Sequence, residues 1–281
     1  MSKIALITDS TSDLRKDQIE KHNIHVIPLR IIYKNREYLD RVNITPDEVY
    51  DNLHVEVPTT SLPSMIDIDN LFTTLEQEGY THAIVVCISS GISGTYNSIN
   101  LASHDHPNII SYVYDSRSLT LGEGAIVLQC AEMIAKGKSF DEIIKKLPSI
   151  KDRIKVYYVL DTLNYLIKGG RIGKVAGTLG ELLKIKPIIS VNEEGVYYSY
   201  AKVRGRKQSI SKLIDIASQT LAESKAKIWV LQGGALKEGK VLYETLSKLS
   251  NVTEISFGDI SPVLGVHTGP GLLGLVIMKE E

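Results

Sequence analysis

Hydroxylic and small residues cluster in four short segments of this 281-residue chain. The segments are Asp9-Ser10-Thr11-Ser12, Thr59-Thr60-Ser61, Ser89-Ser90-Gly91-Ile92-Ser93-Gly94-Thr95 and His267-Thr268-Gly269-Pro270-Gly271. The third follows an all-apolar run at 83–88, typical of a buried strand, and precedes a predicted helix that begins near Gly94. Free N–H groups at a helix N-terminus on the carboxyl edge of a sheet favour an anion. Any one segment also fits an ordinary capped turn, but together they indicate an anion-binding α/β protein.

Two arginines and one histidine add candidate ligand contacts. Arg171 follows two glycines, and Arg204 lies in a basic turn after a predicted strand. Arginine makes strong, often bidentate contacts to carboxylate or phosphate. Either arginine also fits a solvated surface turn, and His267 fits both a structural histidine and a ligand contact.

Familiar catalytic motifs are incomplete in this sequence. Segment 91–95 resembles a nucleophile elbow, but Thr95 replaces its second glycine. Segment 168–175 resembles a P-loop, but Val175 replaces the hydroxyl that would hold magnesium. Segment 269–274 fits G-x-G-x-x-G, yet it runs into a predicted strand close to residue 281, so no dinucleotide-binding βαβ unit follows.

Two further groups of polar residues are predicted to be structural. His104 and His106 flank Asp105 in a polar loop before Pro107, and we predict a solvated turn there and no metal site. Asp67 and Asp69 lie two apart on a predicted helix, so their side chains point in different directions.

The predicted elements alternate between strands and long helices, which indicates an α/β fold with mostly parallel sheet. Capping boxes begin helices at Thr45 and Ser139, a hairpin turn is predicted at 34–35, an extended segment at 26–33 and a helix at 172–185. A Gly-rich joint near Asp161 predicts two domains, residues 1–160 and 161–281.

Composition narrows the classes of function. The formal net charge is −1, so nucleic-acid binding is not expected. Cys87 and Cys130 lack spaced partners, which argues against disulfides and zinc sites. The N-terminal apolar stretch is too short for a signal peptide and no run reaches the roughly 18 apolar residues of a membrane span, so we expect a cytoplasmic protein.

Several segments in fixed order make the chain similar to the DegV family, especially the fatty-acid-binding subunits of bacterial fatty acid kinase. The matching segments are Thr8-Asp9-Ser10-Thr11-Ser12-Asp13-Leu14, Thr60-Ser61-Leu62-Pro63, Ser89 to Tyr96, Asp115-Ser116, Lys168-Gly169-Gly170-Arg171-Ile172, Lys184-Ile185-Lys186-Pro187, Val203-Arg204 and His267-Thr268-Gly269. Leu62 departs from the pattern, because many relatives have Gln after Thr-Ser.

The resemblance implies two α/β domains with a lipid-binding tunnel between them. The N-terminal domain would supply carboxylate-binding loops and the C-terminal domain would close over the acyl chain. Residues that correspond to the fatty-acid carboxylate site are Thr60, Ser61, Ser93, Gly94 and His267. Arg171 and Arg204 correspond to arginines that face the head group or a partner.

The resemblance further implies a non-catalytic subunit without cofactor or metal, whose ligand is one fatty acid. It would present the carboxylate to a dihydroxyacetone-kinase-like, ATP-dependent kinase subunit. It would then carry the acyl phosphate to an acyltransferase of phospholipid synthesis, with transient membrane contact left open. Two alternatives are an esterase or thioesterase that uses Ser93 with His267, and a lipid sensor or carrier without a kinase partner.

Overall fold

The computed structural model describes residues 3–178 and 185–281, with the side chain of Thr178 left out. Its strands are β1 Ile4–Asp9, β2 Ile24–Ile27, β3 Arg30–Tyr33, β4 Arg36–Leu39, β5 Thr59–Ser61, β6 His82–Cys87, β7 Ile110–Asp115, β8 Ile154–Val159, β9 Ile188–Val191, β10 Tyr197–Ala201, β11 Ala226–Gly233, β12 Val252–Asp259 and β13 Leu272–Lys279. Its α-helices are α1 Lys16–Lys21, α2 Pro46–Asn52, α3 Met65–Gln77, α4 Thr95–Ser103, α5 Leu121–Ala135, α6 Phe140–Asp152, α7 Asn164–Lys168, α8 Arg206–Glu223, α9 Leu236–Leu246 and α10 Pro262–Thr268.

The N-terminal half contains a four-stranded parallel sheet in the order β2-β1-β6-β7. The apolar runs of β1 and β6 are buried, as expected for strands that are covered on both faces. A second, antiparallel sheet in the order β4-β3-β5 lies beside it. The predicted extended run at 26–33 is therefore divided between two sheets, because β2 and β3 separate at Pro28-Leu29.

The C-terminal half contains a six-stranded sheet in the order β10-β9-β8-β13-β11-β12. Only the β11–β12 pair of this sheet is parallel. The α/β class is confirmed, but the expectation of mostly parallel strands holds for the first sheet alone. The difference arises because β9 and β10 form a hairpin and β13 enters the sheet in the opposite direction to both neighbours.

Three apolar clusters hold these layers together. Helices α3 and α4 contribute to a cluster on the outer face of the first sheet, and α8 and α9 contribute to one on the outer face of the second. Helices α5 and α6 belong to the largest cluster, which lies between the two sheets. The two halves are thus joined by a continuous apolar core.

The second sheet begins earlier in the chain than the sequence predicted, because its first strand is β8. This strand is hydrogen-bonded to β9 and β13, so the second sheet begins at Ile154, ahead of the predicted boundary at 160/161. Helix α10, in turn, comes late in the chain and packs against α2, β3 and β5 of the first half. The domain division stays a prediction.

Local signals in the sequence place most helix starts correctly. Thr45 and Ser139 close capping boxes with Glu48 and Glu142, and Ser64 caps α3. The hairpin turn at 34–35 joins β3 to β4. Of the helix predicted at 172–185, the structure has a 3-10 turn at Gly173–Thr178, and residues 179–184 lie outside the described part.

The predicted solvated turn at 104–106 was wrong for His106. Its side chain is buried, stacks on Phe72 and lies 3.1 Å from a carboxylate oxygen of Asp69. Asp67 pairs with Arg30 on the other side of the same helix, so the two aspartates do point in different directions. Within the described ranges, no helix is long and apolar enough to cross a bilayer.

Candidate functional site

A cavity with about 400 Å³ of empty space, part of which is open solvent, lies between the two halves of the chain. We call it the polar cavity, because its wall combines hydrogen-bonding and charged groups with apolar side chains. The polar residues are Thr11, Thr60, Ser93, Arg171, His267 and Thr268, and the apolar ones include Leu29, Ile88, Ile92, Val263 and Leu264. Concave sites with a few polar groups in an apolar wall are typical of small-molecule binding.

The closest polar contact in the wall joins Thr60 to His267. Strand β5 pairs with β3 so that Thr60 lies opposite Ile31. Because side chains alternate along a strand, Thr60 turns inward while Thr59 and Ser61 remain exposed. The Thr60 Oγ1 atom lies 2.8 Å from His267 Nε2. The contact joins strand β5 of the first half to helix α10.

His267 is electrically neutral near pH 7. Burial lowers the pKa of its imidazole to about 4, and the positive charge of Arg171 adds to the shift. Its Nδ1 atom is buried and has no hydrogen-bond partner among the described residues. Most of the ring is enclosed by protein, since a Cβ atom on Gly169 would lie only 2.2 Å from Nδ1. Position 169 therefore requires glycine.

Ser93 is held by its own loop and not by the histidine. Its Oγ atom lies 2.8 Å from Thr95 Oγ1 and accepts a 3.3 Å hydrogen bond from the Thr95 amide. Gly94 is the residue before α4, and a Cβ atom there would meet Leu62 at 3.4 Å. The leucine that departs from the family pattern thus packs against a glycine of the predicted site.

Four of the predicted site residues meet at the polar cavity, and three do not. Thr60, Ser93, Arg171 and His267 form part of its wall. Ser61 is exposed on the opposite side of β5, and Gly94 lies behind Ser93. Arg204 is exposed, and its backbone forms an isolated bridge with Ile185.

Sequence reasoning singled out the segment that contains Thr11 but assigned it no contact. The Thr11 hydroxyl lies 2.6 Å from Asp9 Oδ1 and 3.1 Å from Glu123 Oε2. Asp9 also accepts hydrogen bonds from the Thr11 and Ile88 amides, whereas the Glu123 carboxyl meets only hydroxyls. Burial raises the pKa of Glu123 well above its usual value. One hydroxyl proton cannot serve both carboxyls fully, so we infer that Glu123 is a protonated acid that donates to Thr11.

Helix α10 reaches the cavity from an anchored N-terminal end. The amide of Ser261 donates to Asp13 Oδ1 at 2.8 Å, and that of Val263 donates to Asp40 Oδ1 at 2.9 Å. Such amides have no partner within the helix. Arg41 neutralises Asp13 across a distance of 2.8 Å. Two carboxylates from the first half therefore fix the helix that carries His267.

A second, apolar cavity, with about 330 Å³ of empty space that is partly open solvent, adjoins the first. The two share Leu264 and Thr268, both of helix α10. The other walls of this apolar cavity include Leu119, Val156, Tyr158, Leu231, Ile260 and Leu272. Polar groups at one end and hydrocarbon at the other suit an amphipathic acid.

Comparison with known proteins gives one consistent result. The family model described as "Uncharacterised protein, DegV family" matches residues 3–280. A DegV domain-containing protein from Clostridium acetobutylicum is 62% identical over 280 residues, which cover 100% of each chain.

Solved structures resemble the fold over nearly its full length. A fatty-acid-binding DegV family protein from Thermus thermophilus has a TM-score of 0.93 and 29% identity, covering 99% of this chain and 100% of the other. DegV from Bacillus subtilis, a fatty-acid-binding protein, has a TM-score of 0.91 and 31% identity, covering 100% of both chains.

Proposed function

Because the chain belongs to the DegV family, we propose that it binds one long-chain fatty acid, with the carboxylate in the polar cavity and the tail in the apolar cavity. The observation that carries the proposal is the 2.8 Å contact between Thr60 and His267 in a wall that continues into hydrocarbon. The fatty-acid-binding relatives from Thermus thermophilus and Bacillus subtilis support the same ligand class.

The tail supplies most of the binding free energy. Each buried methylene contributes about 0.8 kcal/mol, and the walls of the apolar cavity offer side chains such as Leu119, Leu231 and Leu272. An unpaired carboxylate in such surroundings would be costly. The ligand therefore binds well only if its head group reaches the polar residues while its tail stays in hydrocarbon.

The head group is held by hydroxyls and one cation. Thr60 and Ser93 have hydroxyls on the cavity wall, and Arg171 adds a positive charge beside the neutral His267. Apart from Arg171, the carboxylate meets only short hydroxyls and an uncharged imidazole, and these neutral groups bind it less tightly than further cations would. Such a site can release its ligand and can also accommodate a larger acyl phosphate.

The carrier role forms the second part of the proposal. A separate dihydroxyacetone-kinase-like, ATP-dependent subunit phosphorylates the bound carboxylate, and an acyltransferase of phospholipid synthesis receives the acyl phosphate. Arg204 is exposed on the surface and available to such a partner, whereas Arg171 lines the cavity. Arg204→Ala should therefore retain fatty acid but lose ATP-dependent acyl phosphate formation with the kinase. Retained formation at the normal rate would contradict a partner-facing role.

The alternative of a serine hydrolase is disfavoured by the hydrogen bonds of the site. Ser93 pairs with Thr95, and His267 pairs with Thr60. A catalytic serine and its base need a direct hydrogen bond, and the base needs an acid behind it. The His267 Nδ1 atom, where that acid would bind, has no partner among the described residues.

The decisive experiment is mass spectrometry of an organic extract from the purified protein, paired with two variants. We expect one fatty acid per chain. Thr60→Val should weaken its retention by about tenfold, because one hydrogen bond contributes roughly 1.4 kcal/mol. Ser61→Ala is the matched control, since Ser61 faces away on the same strand, and should bind normally. Protein that is empty and takes up no added fatty acid would overturn the proposal.

A further inference from the structure

A third cavity, which we call the basic cavity, lies at the other side of the Val156 wall from the apolar cavity. It is a small recess with about 320 Å³ of empty space, part of which is open solvent. Three cations line it, namely Arg117 after β7, Lys151 near the end of α6 and Lys155 in β8. These elements thus bring like charges to one concave surface of a chain whose net charge is −1.

These cations are not neutralised by ion pairs. None of the three has a carboxylate within 4.0 Å in the described ranges, and the Arg117 guanidinium donates only to the backbone carbonyl of Glu193 at 3.2 Å. Other lysines of the same half do have such partners, for example Lys138 with Glu142 of α6. Positive charge therefore remains available inside the cavity.

The neighbouring positive charges affect the pKa of Lys151. Burial lowers the pKa of its ammonium group, and the charge of Lys155 lowers it further, with a smaller effect from Arg117. Asp152 and Glu193 oppose this shift without reversing it. Like charges at close range raise the free energy of the unoccupied site, so an anion there would be stabilised by relieving their repulsion.

The cavity also contains an unused hydrogen-bond donor. Ser118 is buried and lines the cavity, and its hydroxyl makes no hydrogen bond to the described residues. The glycine at position 122 keeps this hydroxyl unobstructed, because a Cβ atom there would lie 2.3 Å from Ser118 Oγ. The hydroxyl oxygen is open to the cavity and can therefore donate to a ligand or a water molecule there.

We propose that the basic cavity is a second ligand site, which binds a phosphate monoester dianion. Three cations and a hydroxyl match the several acceptor oxygens and the double charge of such a group. The apolar walls of Ile154, Val156 and Val191 accommodate the carbon attached to the ester oxygen. This site does not depend on fatty-acid binding in the polar cavity.

Calorimetric titration of the whole protein with inorganic phosphate and with methyl phosphate tests the site, with chloride at equal ionic strength as the reference. We expect saturable binding that Lys151→Met weakens by roughly tenfold or more. Lys145→Met is the matched control, because Lys145 is exposed on the same helix outside the cavity. Equal loss in both variants, or no phosphate binding by the unmodified protein, would overturn the proposal.

Two further variants keep the result interpretable. Lys155→Gln removes an exposed charge and should weaken phosphate binding even if Lys151→Met does not fold. Arg171→Met tests the polar cavity: if it abolishes phosphate binding and Lys151→Met does not, the proposed site is wrong. Fatty-acid content measured on the same samples should be unchanged in Lys151→Met, so failure of one proposal is distinguishable from failure of the other.

The source of the phosphate is resolved by a lipid comparison. Vesicles of phosphatidylcholine with and without phosphatidic acid are sedimented with the protein. Binding that requires phosphatidic acid and is lost in Lys151→Met identifies a lipid head group. Binding of the small phosphates alone identifies a soluble ligand at the same site. Vesicle binding that Lys145→Met and Lys151→Met reduce equally reflects general surface charge and counts against the site.

Discussion

At its N-terminal end, helix α10 donates amide hydrogen bonds to two buried carboxyl groups, whereas at its C-terminal end an uncharged histidine lies in the wall of the polar cavity. Asp13 and Asp40 accept hydrogen bonds from the first amides of the helix, and His267 contacts Thr60 six residues after Ser261. The first end is fixed by charge and obligatory backbone hydrogen bonds. The second keeps weaker, neutral contacts that a ligand can replace. One short helix therefore combines a rigid support with an adaptable surface.

The largest effect is expected from Asp13→Ala. This change removes a fully buried acceptor that serves the Ser261 amide, the Thr120 hydroxyl and the Arg41 guanidinium, and each buried donor left without a partner costs about 1–3 kcal/mol. Urea denaturation measures the free energy of unfolding. Asp17→Ala, which removes a fully exposed partner of Arg15, should leave it unchanged. Similar losses in both variants would mean that the anchor contributes nothing specific.

In the middle of the helix, shortening a buried side chain should lower the free energy of unfolding, because it leaves a void. Leu264→Ala, at the residue shared by the polar and apolar cavities, is expected to lower the free energy of unfolding by about 2–5 kcal/mol. Leu246→Ala in α9 should cost a similar amount, because it too is buried, but in the outer cluster. Only Leu264→Ala should alter the chain length of the extracted fatty acid. A change in both would place the ligand elsewhere.

At the anchored end, Asp40 should make the free energy of unfolding depend on pH. Burial raises the pKa of Asp40 to about 7, against the nearby Ser10 side chain and the hydrogen bond from the Val263 amide, which lower it. A raised carboxyl pKa stabilises the folded state at low pH, and this stability is lost as the pH rises from about 3.8 to about 7. Asp40→Asn should remove this fall, which reaches about 1.4 kcal/mol per pH unit. An unchanged profile would show that Asp40 is ionised throughout.

His267, at the cavity end of the helix, should change the free energy of unfolding with pH by a smaller total amount and in the opposite direction. The folded pKa of His267 is about 4, below its usual 6.5, so its contribution is complete above pH 6.5 and is lost as the pH falls through 4. His267→Gln should flatten the stability profile in this window. In the unmodified protein, the two slopes oppose each other where the windows overlap. Asp40→Asn and His267→Gln should therefore reveal slopes of opposite direction, and parallel slopes would contradict the assignment.

How much of this could be predicted from the sequence differs between local and distant features. Capping residues at Thr45 and Ser139 were located correctly because each acts within three or four residues. The candidate loops were located for the same reason. The inward orientation of Thr60 and the outward one of Ser61 follow from pairing between β5 and β3, which a short polar segment does not specify.

Contacts between the two halves could not be predicted from the sequence pattern. Thr60 and His267 are 207 positions apart, and only the family resemblance brought them into one site. Asp40 and Glu123 carry no pattern that marks them as buried, because acidic residues usually lie at the surface. The prediction for His106 was wrong for a similar reason, because Phe72, on which it stacks, lies on a helix from another part of the chain.

The position of β13 has a consequence for the way the protein is made. This strand follows all the others in the chain, yet it lies between β8 and β11 in the six-stranded sheet. The first sheet uses strands that leave the ribosome within the first 115 residues. The second sheet stays split into two parts until residues 272–279 have been synthesised. The nascent chain should therefore acquire the Thr60 side of the ligand site early and the His267 side only at the end, and a ribosome stalled before β13 should hold a chain that cannot retain fatty acid.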